Sequence, residues 1–325
     1  MIANTGLWDA ARTHTPELGG DDLEQGPSCS SLRLHIFRVW TRMVHTTVSP
    51  ALKGTTVIAE DLSALGFDAN TWEDLMDMSM HREPRGVEDF AGFDWISPYT
   101  DPSGARLLRT LSGDDWSTSA SFVATQSIWP ARVGRINDFT SLIDLLNPAG
   151  EIFTRLTASL DDSFLYPVLN GPQDTETGMA DATLQVAGLV MGADIYPDAD
   201  AWKAKLGAER PVADTPDGPL TVFGEPGFIL GPWTFEYFGG GEPDTIESYN
   251  QVCLEVDTVD TRTNELTGRQ FHVATGQLQE GLPPLEMCLP VEMAPDLAPG
   301  NVVEGAVLIV ANSGYWDEVL AQAEG

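Results

Sequence analysis

The sequence predicts a β-rich α+β protein. A mixed N-terminal domain over residues 1–207 precedes an antiparallel β-sandwich or barrel over residues 220–325. Three observations predict it. Beyond residue 220, apolar and polar residues alternate with the period of two that a half-buried strand requires. Before it, apolar residues recur at helical spacing. Between the two, residues 208–219 carry Glu209, Arg210, Pro211, Asp214, Pro216, Asp217 and Pro219 without any period, as a linker does. At 325 residues with 42% hydrophobic side chains, two domains and a proper core are expected.

The first 30 residues read as loop, with Gly19-Gly20-Asp21-Asp22 and Gly26-Pro27. Leu32, Leu34 and Ile36 then alternate with Arg33 and His35, as in a strand. Residues 71–81 read as a helix: Trp72, Leu75, Met76 and Met80 share a face, Thr71 and Asp74 form a capping box, and Pro84 follows. A second helical region is expected over 138–160, where Phe139, Leu142, Ile143 and Leu146 have helical spacing. There Asn147-Pro148 breaks the run and Pro148 opens a new helix with Ile152, Leu156 and Leu160. A short helix over 200–206 is expected to end at Gly207. Strands follow at 252–256, 271–273, 285–293 and 302–310, and a helix over 315–323 closes the chain.

Composition speaks to the solvent. There are 49 Asp and Glu against 17 Lys and Arg, a formal net charge of −32, and the only lysines are Lys53, Lys203 and Lys205. In dilute buffer so much like charge drives a folded chain apart, whereas in molar salt the Debye length falls to about 3 Å and the repulsion is screened. The expected setting is therefore a salt-accumulating cell or a virus of one. Phosphate recognition needs a basic surface, and the densest clusters, Arg33–Arg38–Arg42 and Arg132–Arg135, are small, so nucleic acid is not an expected partner. No basic stretch leads an apolar run near Met1, and no apolar run reaches the ~18 residues of a membrane span. The expected location is a virion assembled in the host cytoplasm, without membrane insertion. Cys29, Cys253 and Cys288 show no CxxC spacing and read as buried thiols, a Cys253–Cys288 bridge being the alternative.

The common nucleotide motifs are missing, as is the GxSxG elbow. The five histidines, His14, His35, His45, His81 and His272, lack zinc spacing. Gly239-Gly240-Gly241 precedes Glu242-Pro243-Asp244, which would repel phosphate, and reads as a turn. Hard cations are better served. Asp194, Asp198 and Asp200 flank one turn, while Asp257, Asp260, Asn264 and Glu265 fall within nine residues, so each group offers part of a Ca²⁺ or Mg²⁺ shell. The competing reading of both is a hydrated acidic surface. Acids also sit beside tryptophan in Trp8-Asp9, Trp72-Glu73-Asp74, Asp94-Trp95, Asp115-Trp116 and Trp316-Asp317. Aromatic platforms with carboxylates suit sugars, which makes Asp94, Trp95, Asp115 and Trp116 the candidates for glycan binding or hydrolysis.

In composition and texture the chain resembles virion structural proteins of haloarchaeal viruses. The likeness rests on no motif and assigns no residue a role. It implies a non-enzymatic assembly protein acting as symmetric copies, partnered by itself and by other virion proteins, in a tail, baseplate, connector, turret or capsid. The break at Asn147-Pro148 argues against the long spine helix of tailed-virus capsids. The alternatives are a glycan-binding or glycan-hydrolysing protein and a cytoplasmic enzyme of another kind.

Overall fold

The computed structural model describes residues 59–209, 213–215, 218–220 and 225–323. The expected strand over 32–36, the Arg33–Arg38–Arg42 cluster, Cys29, Trp8-Asp9, His14, His35 and His45 lie outside them. The chain is β-rich with a minority of helix, as expected.

Helix α1 (Glu60–Ser63) leads into α2 (Trp72–Arg82). The cap of α2 is the expected one: Asp74 N–H donates to Thr71 Oγ1 at 3.0 Å. Next come β1 (Val87–Phe90), β2 (Phe93–Thr100), β3 (Ala105–Ser112) and β4 (Asp115–Phe122), a four-stranded antiparallel meander. The pleat sorts β3 into two faces. Leu107 packs with Leu75 of α2 and Arg109 donates to Glu83 O, whereas Leu108 meets Trp316 and Arg106 meets Asp161.

The larger sheet takes β5 (Ile128–Arg135), β6 (Ser141–Leu146), β7 (Ile152–Leu160) and β8 (Ala180–Tyr196). It also takes β11 (Phe228–Leu230), β12 (Tyr249–Glu255), β13 (Thr258–Thr263), β14 (Gln270–Gln277), β15 (Pro284–Pro290) and β16 (Val302–Asn312). Their order is β11-β12-β16-β7-β6-β5-β8-β15-β14-β13, and β16 pairs with β8 as well. That extra pairing closes β16-β7-β6-β5-β8 into a five-stranded barrel, which leaves those strands no open ladder. Two long strands are shared. On one edge β8 pairs first with β5 over 180–185 and then, in parallel, with β15 over 187–189. Along its other edge it follows β16 from Gln185 to Tyr196. In turn β16 gives residues 302–308 to β12 and residues 310–311 to β7. Gly305 permits the close approach: a Cβ there would run into Gly192 O.

The sheet crosses the boundary expected at 208–219. Trp129, Leu145, Leu156 and Val186 share one buried cluster with Val252, Leu285, Met287 and Val307, so strands from both sides of that stretch build one core. The stretch itself is not bare. Helix α3 (Ala199–Glu209) runs through Gly207 rather than stopping there, and β9 (Ala213–Thr215) pairs antiparallel with β10 (Gly218–Leu220). A short helix, α4 (Pro232–Phe238), and the expected last helix, α5 (Tyr315–Ala323), complete the elements.

The helical region expected over 138–160 is instead the β6–β7 hairpin. In β6, residues 141–145 are all buried, because the strand lies between β5 and β7 inside the sheet. A strand buried on both faces loses its alternation, and its continuous apolar run then mimics helical spacing. Pro148 does not start a helix. Asn147 Oδ1 accepts the Ala149 and Glu151 N–H groups, Gly150 N–H returns to Asn147 O, and Gly150 takes a φ of 81°. That is a turn with Asn, Pro and Gly each in its preferred place. Cys253 and Cys288 are both buried and no bond joins them.

Candidate functional site

The structure gathers some expected site residues and separates others. Asp194 accepts Lys205 Nζ at 3.2 Å, Asp198 caps α3 by accepting Ala201 N–H at 2.7 Å, and Asp200 is exposed in the first turn of that helix. Asp257 is exposed, and Asp260 pairs with Arg262 at 2.8 Å. Asn264 is buried, with Nδ2 on Leu65 O and Oδ1 accepting Leu266 N–H. Glu265 contributes its backbone N–H to Asp101 while its side chain faces water. Among the described residues, no three His, Cys, Asp or Glu groups come together as a metal site.

Asp94, Trp95, Asp115 and Trp116 do meet, at the end of the four-stranded sheet formed by the β3–β4 turn. The indoles of Trp95 and Trp116 touch edge to face with centroids 5.3 Å apart. The Arg109 guanidinium lies 5.6 Å from the Trp95 centroid, and Gly86 presses so close to that indole that a Cβ would enter it. Trp95 is therefore held by packing, and Trp116 is the more open of the two rings. Asp94 accepts Gly113 N–H at 2.6 Å and Asp115 is exposed.

The densest buried chemistry lies elsewhere, where β7 ends against the back of the four-stranded sheet. Arg106 sits in the cross-strand row Thr100–Arg106–Ser121, wholly buried. Its Nε donates to Thr100 Oγ1 at 2.9 Å, Nη1 to Asp161 Oδ2 at 3.1 Å, and Nη2 to Asp317 Oδ1. Asp161 and Asp162 follow directly on β7. Asp162 Oδ2 accepts both Ser313 N–H at 2.7 Å and Ser313 Oγ at 2.6 Å, while Asp161 O accepts the Trp316 indole N–H at 2.8 Å. These bonds lock the start of α5 onto the barrel.

Charge there is unbalanced: one guanidinium faces three carboxyls. Burial pushes Asp161 up to about 7, against the downward pull of Arg106 and with the push of neighbouring Asp162. Asp162 is raised by burial too, although the Ser313 bonds oppose it. Burial lifts the Tyr166 phenol to about 12, helped by the Asp162 charge. The Ser121 hydroxyl faces Asp161 and favours its ionised form, yet the two atoms fall short of hydrogen-bond geometry, so Ser121 is a close neighbour rather than a partner. A cleft of about 30 Å³ adjoins, lined by Ile96, Leu108, Thr110, Ser119, Phe164 and Asp161. Of this cluster, sequence reasoning singled out only Trp316-Asp317, as an acid beside tryptophan.

Two further ties hold loops rather than ligands. Buried Glu286 accepts three successive backbone N–H groups, from Thr125, Gln126 and Ser127 at 2.8, 3.0 and 3.2 Å. Arg109 fastens α2 through Glu83 O, Ser79 Oγ and Ser97 Oγ, and burial lowers its pKa to about 10. Comparison with known proteins finds no family model, no curated sequence and no solved structure that matches this chain.

Proposed function

We propose that this chain is an assembly protein whose copies associate in molar salt, as a component of a halophilic virus particle. The observation that carries the reading is an apolar surface on a chain of net charge −32. Phe139, Leu165 and Val168 are 60%, 45% and 50% exposed. They lie on two segments stitched together at one end of the barrel. Arg135 N–H donates to Pro167 O and Leu169 N–H to Arg135 O, both at 2.8 Å, and Ser163 Oγ donates to Asp138 O at 3.2 Å. Exposed apolar patches mark places where proteins meet. Carboxylate repulsion holds copies apart in dilute buffer, and molar salt removes that obstacle while leaving the apolar attraction in place. The tail, baseplate, connector, turret and capsid positions all use such contacts, with copies of the chain and other virion proteins as partners.

Sedimentation velocity in molar KCl tests the reading. The wild type is expected to run as a closed oligomer. The double variant Phe139→Ser/Val168→Ser is expected to run as a single copy with its thermal transition preserved. A wild type that stays a single copy in molar salt, or a variant that assembles equally well, would refute the proposal.

A further inference from the structure

Strand β13 closes one end of the large sheet, and among the described residues no strand pairs with its outer side. Its ladder to β14 shows which backbone groups that side presents. Asn264 N–H donates to Arg269 O at 2.8 Å, so the two strands are hydrogen-bonded at Asn264. At the opposite end Asp257 N–H donates at 2.7 Å to Thr275 O, and Thr275 is the residue that Thr258 faces. Two residues on one carbonyl are the mark of a bulge beside a hydrogen-bonded pair. Hydrogen-bonded and non-hydrogen-bonded pairs alternate along an antiparallel ladder. Thr258, Asp260 and Arg262 therefore turn their N–H and C=O groups toward β14. Val259, Thr261 and Thr263 turn theirs outward, where no hydrogen bond meets them among the described residues.

The side chains add a second condition. Edge strands that stay single are commonly guarded by lysine or proline, and β13 has neither. Apart from Asp260 and Arg262 it consists of Thr and Val, which favour extended backbone. Asp260 and Arg262 share one face and pair with each other at 2.8 Å. A second copy laid antiparallel against this edge must bring outward groups to outward groups, so the allowed registers differ by two residues. With the two-fold axis at Thr261, each Asp260 faces the partner's Arg262, and Val259 faces the partner's Thr263. A shift of two residues either way moves the axis to Asp260 or to Arg262 and sets like charges opposite each other. Like charges directly opposed destabilise a sheet, and opposite ones support it. One register is thereby selected.

We propose that β13 pairs antiparallel with β13 of a second copy about a two-fold axis at Thr261, joining two sheets into one. Thr261 then exchanges both backbone hydrogen bonds with its counterpart, and the four charged side chains form a square of alternating sign. Such pairing rests on the reading that copies associate, because six residues of edge bury too little area to hold two copies without a second contact.

Cysteine trapping in molar KCl tests the contact, in a Cys29→Ser background that leaves only the buried Cys253 and Cys288. In a hydrogen-bonded antiparallel pair the facing Cα atoms lie about 5.5 Å apart, within the span of a disulfide. Thr261→Cys is therefore expected to give a covalent dimer under mild oxidation. Thr258→Cys, exposed on the same strand, lies roughly 20 Å from its counterpart in this register and is expected to give several-fold less. Asp260→Arg is expected to cut the Thr261→Cys yield several-fold, and adding Arg262→Asp to restore it. Sedimentation of the same samples separates this contact from the apolar one. An oligomer in which Thr261→Cys does not cross-link, or in which Thr258→Cys cross-links equally well, overturns the strand pairing and leaves the Phe139 surface standing. A cross-link at Thr261→Cys in a chain that otherwise runs as a single copy supports the strand pairing and refutes the other contact. A single copy without the cross-link overturns both.

Discussion

Burial decides what individual side chains do here more than their chemical type does. Five of the tyrosines, Tyr99, Tyr166, Tyr196, Tyr237 and Tyr249, have phenols raised above their ordinary value, in each case chiefly by burial. A raised folded-state pKa contributes stability that is complete below the unfolded value, ~10 for a phenol, and is lost as pH climbs through the folded value. For Tyr166 that window closes at about 12. The lysines number only three, Lys53, Lys203 and Lys205, and the buried Arg109, lowered to about 10, titrates at the bottom of the same range. Unfolding is therefore expected between those limits, with phenolate absorbance rising in step with loss of circular dichroism. Phenols that ionise freely near their unfolded value in the intact fold would contradict it. At this scale legibility in sequence follows distance along the chain. The Thr71 cap was readable because its partner is three residues away. The Asp161–Asp162 pair was not, because Arg106 and Ser313 come from 55 and 151 residues away.

Among the elements, strands whose sequence alternates apolar and polar residues were legible and a near-continuous apolar run was not. β12 and β14 announce themselves by alternation in sequence, although β14 is buried from Phe271 to Gly276, whereas β6 reads as an apolar run between two neighbours. The hairpin turn at Asn147-Pro148-Ala149-Gly150 carried the correct signal, but the apolar spacing around it outweighed the turn chemistry. Glycine marks where elements press together. At Gly276 of β14, a Cβ would run into Glu255 O and lie 2.9 Å from Leu254 Cγ, both belonging to β12. Nearby, Asp257 N–H donates to Thr275 O at 2.7 Å, so the approach of β12 to β14 is fixed by the backbone and cannot widen freely. Gly276→Ala is expected to cost roughly 1–3 kcal/mol, the usual penalty for overpacking, read from denaturant unfolding. A cost near zero would mean that the two strands separate easily.

For the molecule as a whole, the α+β class and the preponderance of strands could be read from the text, while the interleaving could not. Residues 208–219 do carry the proline and charge of a connection, yet what they connect is one core. Pairing between β8 and β16 joins residues more than a hundred positions apart, and no local pattern records such a choice. Among the described residues, three tryptophans are fully buried and report on different regions: Trp129 in the barrel cluster, Trp316 against the four-stranded sheet, and Trp202 of α3 against Val302. Because β8 and β16 run through barrel and outer sheet alike, fluorescence and far-ultraviolet dichroism are expected to report one coincident thermal transition. A separate early step confined to one tryptophan would show that the shared strands do not couple the regions.

The shared pair of strands also sets an order of events during synthesis. Residues 128–196 provide four of the five barrel staves, but the last stave, residues 302–312, emerges more than a hundred residues later. Until then the unfinished ring exposes unpaired edges on β7 and β8, the kind of surface that recruits neighbouring chains. Translation and closure are thereby tied together: a nascent chain stalled between residues 196 and 302 presents an open, adhesive sheet to the ribosome's surroundings.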